Sequence, residues 1–366
     1  MGKRRNIFLY PFSLLYRLIT DMRNLLYDKG ILKSEEFSVP VICVGNITVG
    51  GTGKTPHTEY IIRLLQSNFN VAVLSRGYRR KTKGFILAHH GSKVDDTGDE
   101  LLQISGKFPG IPVAADRDRR NGIRMILKQY PSTEVIIMDD GFQHRKVKPG
   151  LSILLSDFNR PLTRDSLLPY GNLREKSSNR KRADIIIVTK TPGETEIRKM
   201  DELKDELESR PGQKVFFSRI SYFAPEPVFT ENISAKPVSE INDPSAASVL
   251  LVTGIASPGP LRAYLEARFR EVIHLKFTDH HMYSGNDIKK IEALLKKINT
   301  ENKLIITTEK DAVRFKEISN IGTYLKNFMF YIPVEVEFLK GEKQEFDNTI
   351  KKYAGKNKGI GSLPQS

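Results

Sequence analysis

From Val39 onward, short apolar runs alternate with longer amphipathic stretches, the signature of a mostly parallel sheet with helices on both faces. Runs at Pro40–Val44, Val71–Leu74, Ile111–Ala114, Val135–Met138, Leu151–Leu155 and Ile185–Val188 are rich in Val and Ile without strict alternation. Strands buried on both faces have that character, so residues 31–212 are expected to form one α/β unit. The segment Val215–Val228 reads as an extended ribbon carrying Pro225 and Pro227, and 213–228 is expected to be a linker. A second, smaller α/β block over 229–329 has candidate strands at Val249–Val252, Val272–Phe277 and Leu304–Thr307, with helical patterns near Leu261–Phe269 and Asp287–Ile298. Phe330–Phe338 alternates well enough to return beside the ribbon, so 330–353 is expected to hold that strand and a C-terminal helix. The tail 354–366 carries three glycines and a proline and is expected to be disordered.

Residues 1–30 follow a different pattern. Phe12, Leu15, Leu18, Ile19, Met22, Leu25 and Leu26 share one helical face, opposite Arg17, Asp21, Asn24 and Asp28. The apolar run is well short of a membrane span, and charges return at Arg17 and Asp21 with no small-residue cleavage site between. Such a helix either docks on the domain core or lies on an anionic bilayer, with Lys3, Arg4 and Arg5 near the headgroups. The basic leader and the tyrosines at 10 and 16 favour the bilayer.

Charge adds a constraint on partners. Lys and Arg number 58 against 43 Asp and Glu, a net charge of +15. A surplus of this size favours phosphorylated substrates, anionic membranes or nucleic acid. No aromatic-interleaved basic patch points to nucleic acid, and no partner protein is expected. The single cysteine, Cys43, lies inside an apolar strand, which excludes an intrachain disulfide and disfavours a Cys-based metal site.

The chemistry concentrates at the first strand's end. Gly50-Gly51-Thr52-Gly53-Lys54-Thr55 follows an apolar strand and precedes a helical pattern. In that setting, glycines let backbone N–H groups converge on phosphate oxygens and the helix N-terminus adds positive field. Lys54 reaches the terminal phosphates, and the Thr55 hydroxyl can ligate Mg²⁺. The strict pattern wants glycine where Thr48 stands, so Thr48 and Val49 complete the cradle and Gly50 and Gly51 supply the backbone freedom. A second acidic anchor is expected at a strand end, and Val135–Met138 followed by Asp139-Asp140 provides it. Arg76 and Tyr78 follow a strand, where loop residues face a ligand crevice, while Arg119 and Arg174 are candidate phosphate clamps. Arg76 reads equally as a surface charge, and Arg119 as part of a salt-bridged helix start. Val188-Thr189-Lys190-Thr191 lacks the following Asp that would select guanine, which favours ATP.

These segments carry a resemblance. The stretch Gly45–Pro56 resembles the P-loop of the tetraacyldisaccharide 4'-kinase (lipid A 4'-kinase) family. So do Ser75-Arg76-Gly77-Tyr78, Gly98-Asp99-Glu100, Asp139-Asp140-Gly141-Phe142-Gln143-His144, Asp279-His280-His281 and Thr308-Glu309-Lys310-Asp311-Ala312-Val313. They run in order over nearly the whole chain. The resemblance implies a P-loop fold that transfers the ATP γ-phosphate to the 4'-hydroxyl of a lipid disaccharide 1-phosphate. The expected place is the cytoplasmic face of the bacterial inner membrane, peripherally bound. It also implies a dyad in which Asp99 accepts or relays the hydroxyl proton and His280 orients it and tunes its acidity. Glu100 is the neighbouring candidate for Mg²⁺, with Thr55, Asp139 and Asp140. The alternative is a P-loop assembly ATPase or GTPase acting on a protein partner, which has no use for Asp99, His280 or the amphipathic leader.

Overall fold

A computed structural model describes residues 6–357 except 90, 209, 231–243, 301 and 340. The basic leader Lys3–Arg5 and most of the expected disordered tail lie outside the described residues.

The strands are β1 Val41–Gly45, β2 Val71–Ser75, β3 Ile86–Ala88, β4 Val113–Ala115, β5 Val135–Asp139, β6 Leu151–Asp157 and β7 Ile185–Thr189. They continue with β8 Lys214–Tyr222, β9 Glu226–Pro227, β10 Ser248–Thr253, β11 Glu271–Lys276, β12 Lys303–Thr308, β13 Met329–Ile332 and β14 Val334–Phe338. They form a nine-stranded sheet in the order β14-β8-β7-β6-β1-β5-β2-β4-β3 and a five-stranded sheet in the order β11-β10-β12-β13-β9. Among the strands of the described residues, the β3–β4, β8–β14 and β9–β13 pairs are antiparallel and the rest parallel.

Burial explains the continuous apolar runs. In β1, Ile42 and Val44 point into one layer with Ile61, Ile62 and Leu65 of the helix Lys54–Leu65. Val41 and Cys43 point into the other, with Ile123 and Ile126 of the helix Arg119–Gln129. Alternate side chains of a strand go to opposite faces, so both faces must be apolar where helices cover both. The second sheet repeats the arrangement: Leu250 and Val252 pack on Ile291, Leu295 and Phe315, while Val249 and Leu251 meet Leu261 and Leu265.

The segment 213–228 differs from the linker its prolines imply. Lys214–Tyr222 is a full member of the large sheet, parallel to β7 and antiparallel to β14. The prolines fall beyond it, at the edge where β9 pairs only with β13. The expected return strand is likewise two strands divided at Pro333. Met329–Ile332 extends the second sheet, and Val334–Phe338 returns to the first. There Val336 and Phe338 pack with Phe346 and Ile350 of the C-terminal helix Glu342–Ala354.

The helix Tyr10–Asp28 is turned with its polar side inward. Its buried residues are Ser13 and Asn24, whereas Phe12 is 62% and Leu18 65% exposed. Ser13 donates to the Leu167 carbonyl at 3.0 Å, Tyr16 to the Arg174 carbonyl at 2.9 Å and Asn24 to Glu175 at 3.2 Å. Among the described residues no helix is long and apolar enough to cross a membrane.

Candidate active site

β1 and β5 are neighbours with Val44 beside Asp139, so the loop after β1 and the acids after β5 leave the same sheet edge. Gly53 stands at φ +87° as the residue before the helix Lys54–Leu65, a left-handed turn that glycine adopts without penalty. Asn46 donates to the Thr52 hydroxyl at 2.7 Å, and Lys190 donates to the Gly51 carbonyl at 2.5 Å and to Asp157 at 2.7 Å. The loop Leu167–Arg174 clips the other side. Val49 N–H donates to the Asn172 carbonyl at 2.8 Å, and Arg174 N–H to the Ile47 carbonyl at 2.7 Å. The loop after β1 is thus held by hydrogen bonds on both sides, and the loop Leu167–Arg174 also carries the N-terminal helix through Ser13 and Tyr16.

Asp140 sits between Lys54 Nζ and Arg174 Nη1, each 3.6 Å from its carboxylate. Burial opposes its ionisation, but Lys54, Arg174 and Arg119 outweigh that and hold the carboxyl below the usual range. Asp139 is fully buried and accepts from the Thr58 hydroxyl at 3.1 Å. Burial first, then the charges of Glu100 and Asp140, push its carboxyl up to about 7. Asp139 Oδ2 and Asp140 Oδ1 are buried without a hydrogen-bond partner, although Lys54 Nζ stands 3.6 Å from the latter.

Across a cleft of about 700 Å³ stands the second wall. Asp99 opens the helix Asp99–Lys107, and its Oδ1 accepts the Glu100 N–H at 2.9 Å. Its Oδ2 meets His280 Nδ1 at 2.8 Å and Arg314 Nε at 3.1 Å, with Arg314 Nη2 closer still. Arg314 is buried and also donates to Asp311 at 2.8 Å and the Gly254 carbonyl at 3.2 Å. Burial alone would raise the Asp99 carboxyl; His280, Lys310 and Arg314 reverse this and hold it far below the usual carboxylate range. His280, at φ +57°, is steadied by Arg79, which donates to its carbonyl at 3.0 Å, and by the Tyr78 ring at 5.1 Å.

Val49 to Thr55, Tyr78, Glu100, Asp140, Arg174 and His280 border the cleft. Thr48 and Asp139 are buried behind the loop, and Asp99 is screened by His280, so the imidazole is the member of the dyad that faces the cavity. Arg119 departs from the expected phosphate clamp. It is buried, donating to the Asp116 carbonyl at 2.8 Å and the Asp140 carbonyl at 3.4 Å, and burial pushes its guanidinium down to about 10. A cation enclosed this way props up the acidic turn and does not border the cleft. Arg76 is exposed and does not border the cleft, so it too falls outside the expected crevice position. Nothing in the sequence marks Lys310 and Arg314 for the site, although their i, i+4 spacing puts both on one face of the helix Glu309–Lys316.

A loop built to hold a polyphosphate, facing an acid–imidazole pair across one cleft, is the working arrangement of a P-loop phosphotransferase. The family model for tetraacyldisaccharide-1-P 4'-kinase matches residues 5–354, and the chain belongs to that family. It is 45% identical over 354 residues to the tetraacyldisaccharide 4'-kinase of Phocaeicola vulgatus, covering 96% of each chain. It is 43% identical over 357 residues to that of Bacteroides thetaiotaomicron, covering 95% of this chain and 93% of the other. Among solved structures it resembles the "apo" form of LpxK from Aquifex aeolicus in complex with ATP. The TM-score is 0.70 at 31% identity, over 94% of this chain and 98% of that one.

Proposed function

We propose that the chain transfers the γ-phosphate of ATP to the 4'-hydroxyl of tetraacyldisaccharide 1-phosphate, in lipid A biosynthesis. The observation that carries this reading is one cleft bordered both by the loop Val49–Thr55 and by His280 hydrogen-bonded to Asp99. A hydrolysing assembly ATPase needs the first wall only.

Phosphoryl transfer is dominated by positioning and charge neutralisation. Lys54 and Arg174 flank Asp140 at the mouth of the loop and are the cations for the transferring phosphoryl group. Asp99 and His280 take the acceptor proton as a unit: the imidazole meets the hydroxyl, and the carboxylate fixes the ring and balances the charge it gains. Lys190 and Thr191 border the same cleft beside the loop and are candidates for the nucleotide's base end.

The acid cluster fits Mg²⁺. Among the described residues no group of three or more His, Cys, Asp or Glu is set to hold a metal unaided, but Mg²⁺ on a nucleotide needs only one or two carboxylates plus phosphates and water. The Asp139 and Asp140 oxygens that accept no hydrogen bond supply them, with Thr55 and Glu100 as the neighbouring donors. Bound there, Mg²⁺ would neutralise charge on the β- and γ-phosphates.

The helix Tyr10–Asp28 is the reason for a membrane surface, here the cytoplasmic face of the inner membrane. Its outward face carries Phe12, Leu15, Leu18, Ile19 and Met22, all exposed, and a helix that buries serine and asparagine while exposing these side chains suits a lipid interface. The acyl chains of the acceptor enter from the same interface.

The deciding experiment supplies γ-labelled ATP, Mg²⁺ and tetraacyldisaccharide 1-phosphate in detergent micelles. Label is expected in the lipid. Label found only in ATP or in free phosphate would sink the kinase reading.

A further inference from the structure

The helix Glu309–Lys316 sends two cations to the dyad, and only one of them is occupied by it completely. Arg314 is enclosed by Asp99, Asp311 and the Gly254 carbonyl. Lys310 instead borders the cleft, with Nζ 3.0 Å from Glu100 Oε1 and 3.3 Å from His280 Nε2. His280 Nδ1 lies 2.8 Å from Asp99. The Asp99 carboxylate can only accept, which places the ring proton on Nδ1; Nε2, with Asp279 Oδ2 farther off at 3.8 Å, is left to accept from the Lys310 ammonium, which has protons to give and no lone pair to offer.

We propose that Lys310 is a positioning residue for phosphoryl transfer: together with Asp99 it holds the Nδ1–H tautomer of His280, and it keeps the Nε2 lone pair available to the cleft. This rests on the kinase reading above and deepens it. The Nε2 lone pair accepts one donor at a time, so the acceptor hydroxyl takes the place of the ammonium, which stays with Glu100. The hydroxyl O–H bond then breaks with its proton passing to Nε2. The oxygen forms the new bond to the γ-phosphorus, and the electron pair of the broken P–O bond leaves with ADP. Lys310 keeps its proton throughout. Without the ammonium, Asp99 still holds Nδ1–H, but Nε2 loses the donor that keeps it an acceptor and faces the Asp279 carboxylate, 3.8 Å away, instead. The site would then bind both substrates and transfer poorly.

The test uses the full chain with Lys310→Met, which keeps the aliphatic stem, and Lys310→Arg, which keeps the charge. Lys310→Met is expected to lower kcat about 20-fold with the KM for ATP within about threefold, a loss confined to the transition state. Lys310→Arg is expected to recover to within about fivefold of the wild type. In a His280→Asn background, Lys310→Met is expected to cost less than about twofold, because both act through one ring. A kcat for Lys310→Met within about twofold of the wild type overturns the proposal, as does an equal loss with and without His280. Nitrogen-15 shifts of the wild-type His280 ring give an answer even if the variants fold poorly. An Nδ1–H tautomer is expected, and an Nε2–H tautomer overturns the assignment. A wild type that fails to phosphorylate the lipid at all overturns the kinase reading instead, so the two failures are distinct.

Discussion

The wall proposed to bind phosphate draws its glycines, lysine and threonine from the consecutive residues Gly50–Thr55, whereas the wall proposed to handle the proton joins Asp99 to residues 181 and 215 positions away. The first is set by one strand, one turn and one helix, and its geometry is local. The second exists only because the two sheets pack together, with the helix Glu309–Lys316 of one laid against the helix Asp99–Lys107 of the other. A seam of buried charge joins them. Lys107 bridges Glu59 and Glu309 at 2.7 and 2.6 Å, and Gln103 donates to Glu59 at 2.8 Å. Glu59 belongs to the phosphate-loop helix, so the seam ties all three helices together. Displacing the second sheet should therefore separate Asp99 from His280 and Arg314, whereas in the loop wall it reaches only the far side of the helix, through Glu59.

Replacing Lys54 with Met tests the local wall and should have the largest effect. Transfer should fall on the order of 10³-fold, since a fixed cation at the transferring group is lost. His280→Asn tests the assembled wall; asparagine tolerates the left-handed backbone at this position but cannot serve as the base. A fall in kcat of about 10²-fold is expected, and an unchanged kcat would remove the wall from the chemistry.

Asp139→Asn addresses the acids between the walls. It should raise the Mg²⁺ concentration for half-maximal rate about tenfold, and a chelator should abolish transfer by the wild type. Substituting Leu15, Leu18 and Ile19 together by serine should weaken vesicle binding and raise the KM for lipid about fivefold, leaving the KM for ATP unchanged.

The seam itself should read out as a small pH effect on stability. Burial and the Glu59 charge outweigh Lys107 and push the Glu309 carboxyl up to about 7 from its ordinary 4.5. The folded chain then keeps this proton to higher pH than the unfolded chain, so its contribution is fully present below pH 4.5 and is lost as pH rises through about 7. Glu309→Gln should flatten the decline of the melting midpoint across that window by ~2–4 °C. An unaltered slope would mean that Glu309 does not titrate there.

The two walls also differ in what the sequence reveals. Gly50–Thr55 and the strand ending in Asp139-Asp140 are readable because contiguous residues set their geometry. Most strand positions in the large sheet are legible within a residue or two, since burial on both faces forces continuous Val and Ile runs. β3 is not, because its side chains are only partly buried. β8 is obscured by Pro225 and Pro227, which follow it, and the break at Pro333 hides the transfer of the chain between sheets. Asp99 and His280 are paired by family resemblance alone, because no local rule links residues so far apart. Arg119 is a candidate on residue type, and only the structure shows it buried away from the cleft, donating to the Asp116 and Asp140 carbonyls. Lys310 and Arg314 left a faint local signal in their spacing, with nothing in the sequence to say that it faces Asp99.

The most direct test of the division into two walls is calorimetric ATP binding by Lys54→Met and His280→Asn, measured beside the wild type. The predicted result is affinity weakened about tenfold or more in the first and within about threefold of the wild type in the second. Equal loss in both variants would contradict the account, because the two walls would then be one nucleotide site.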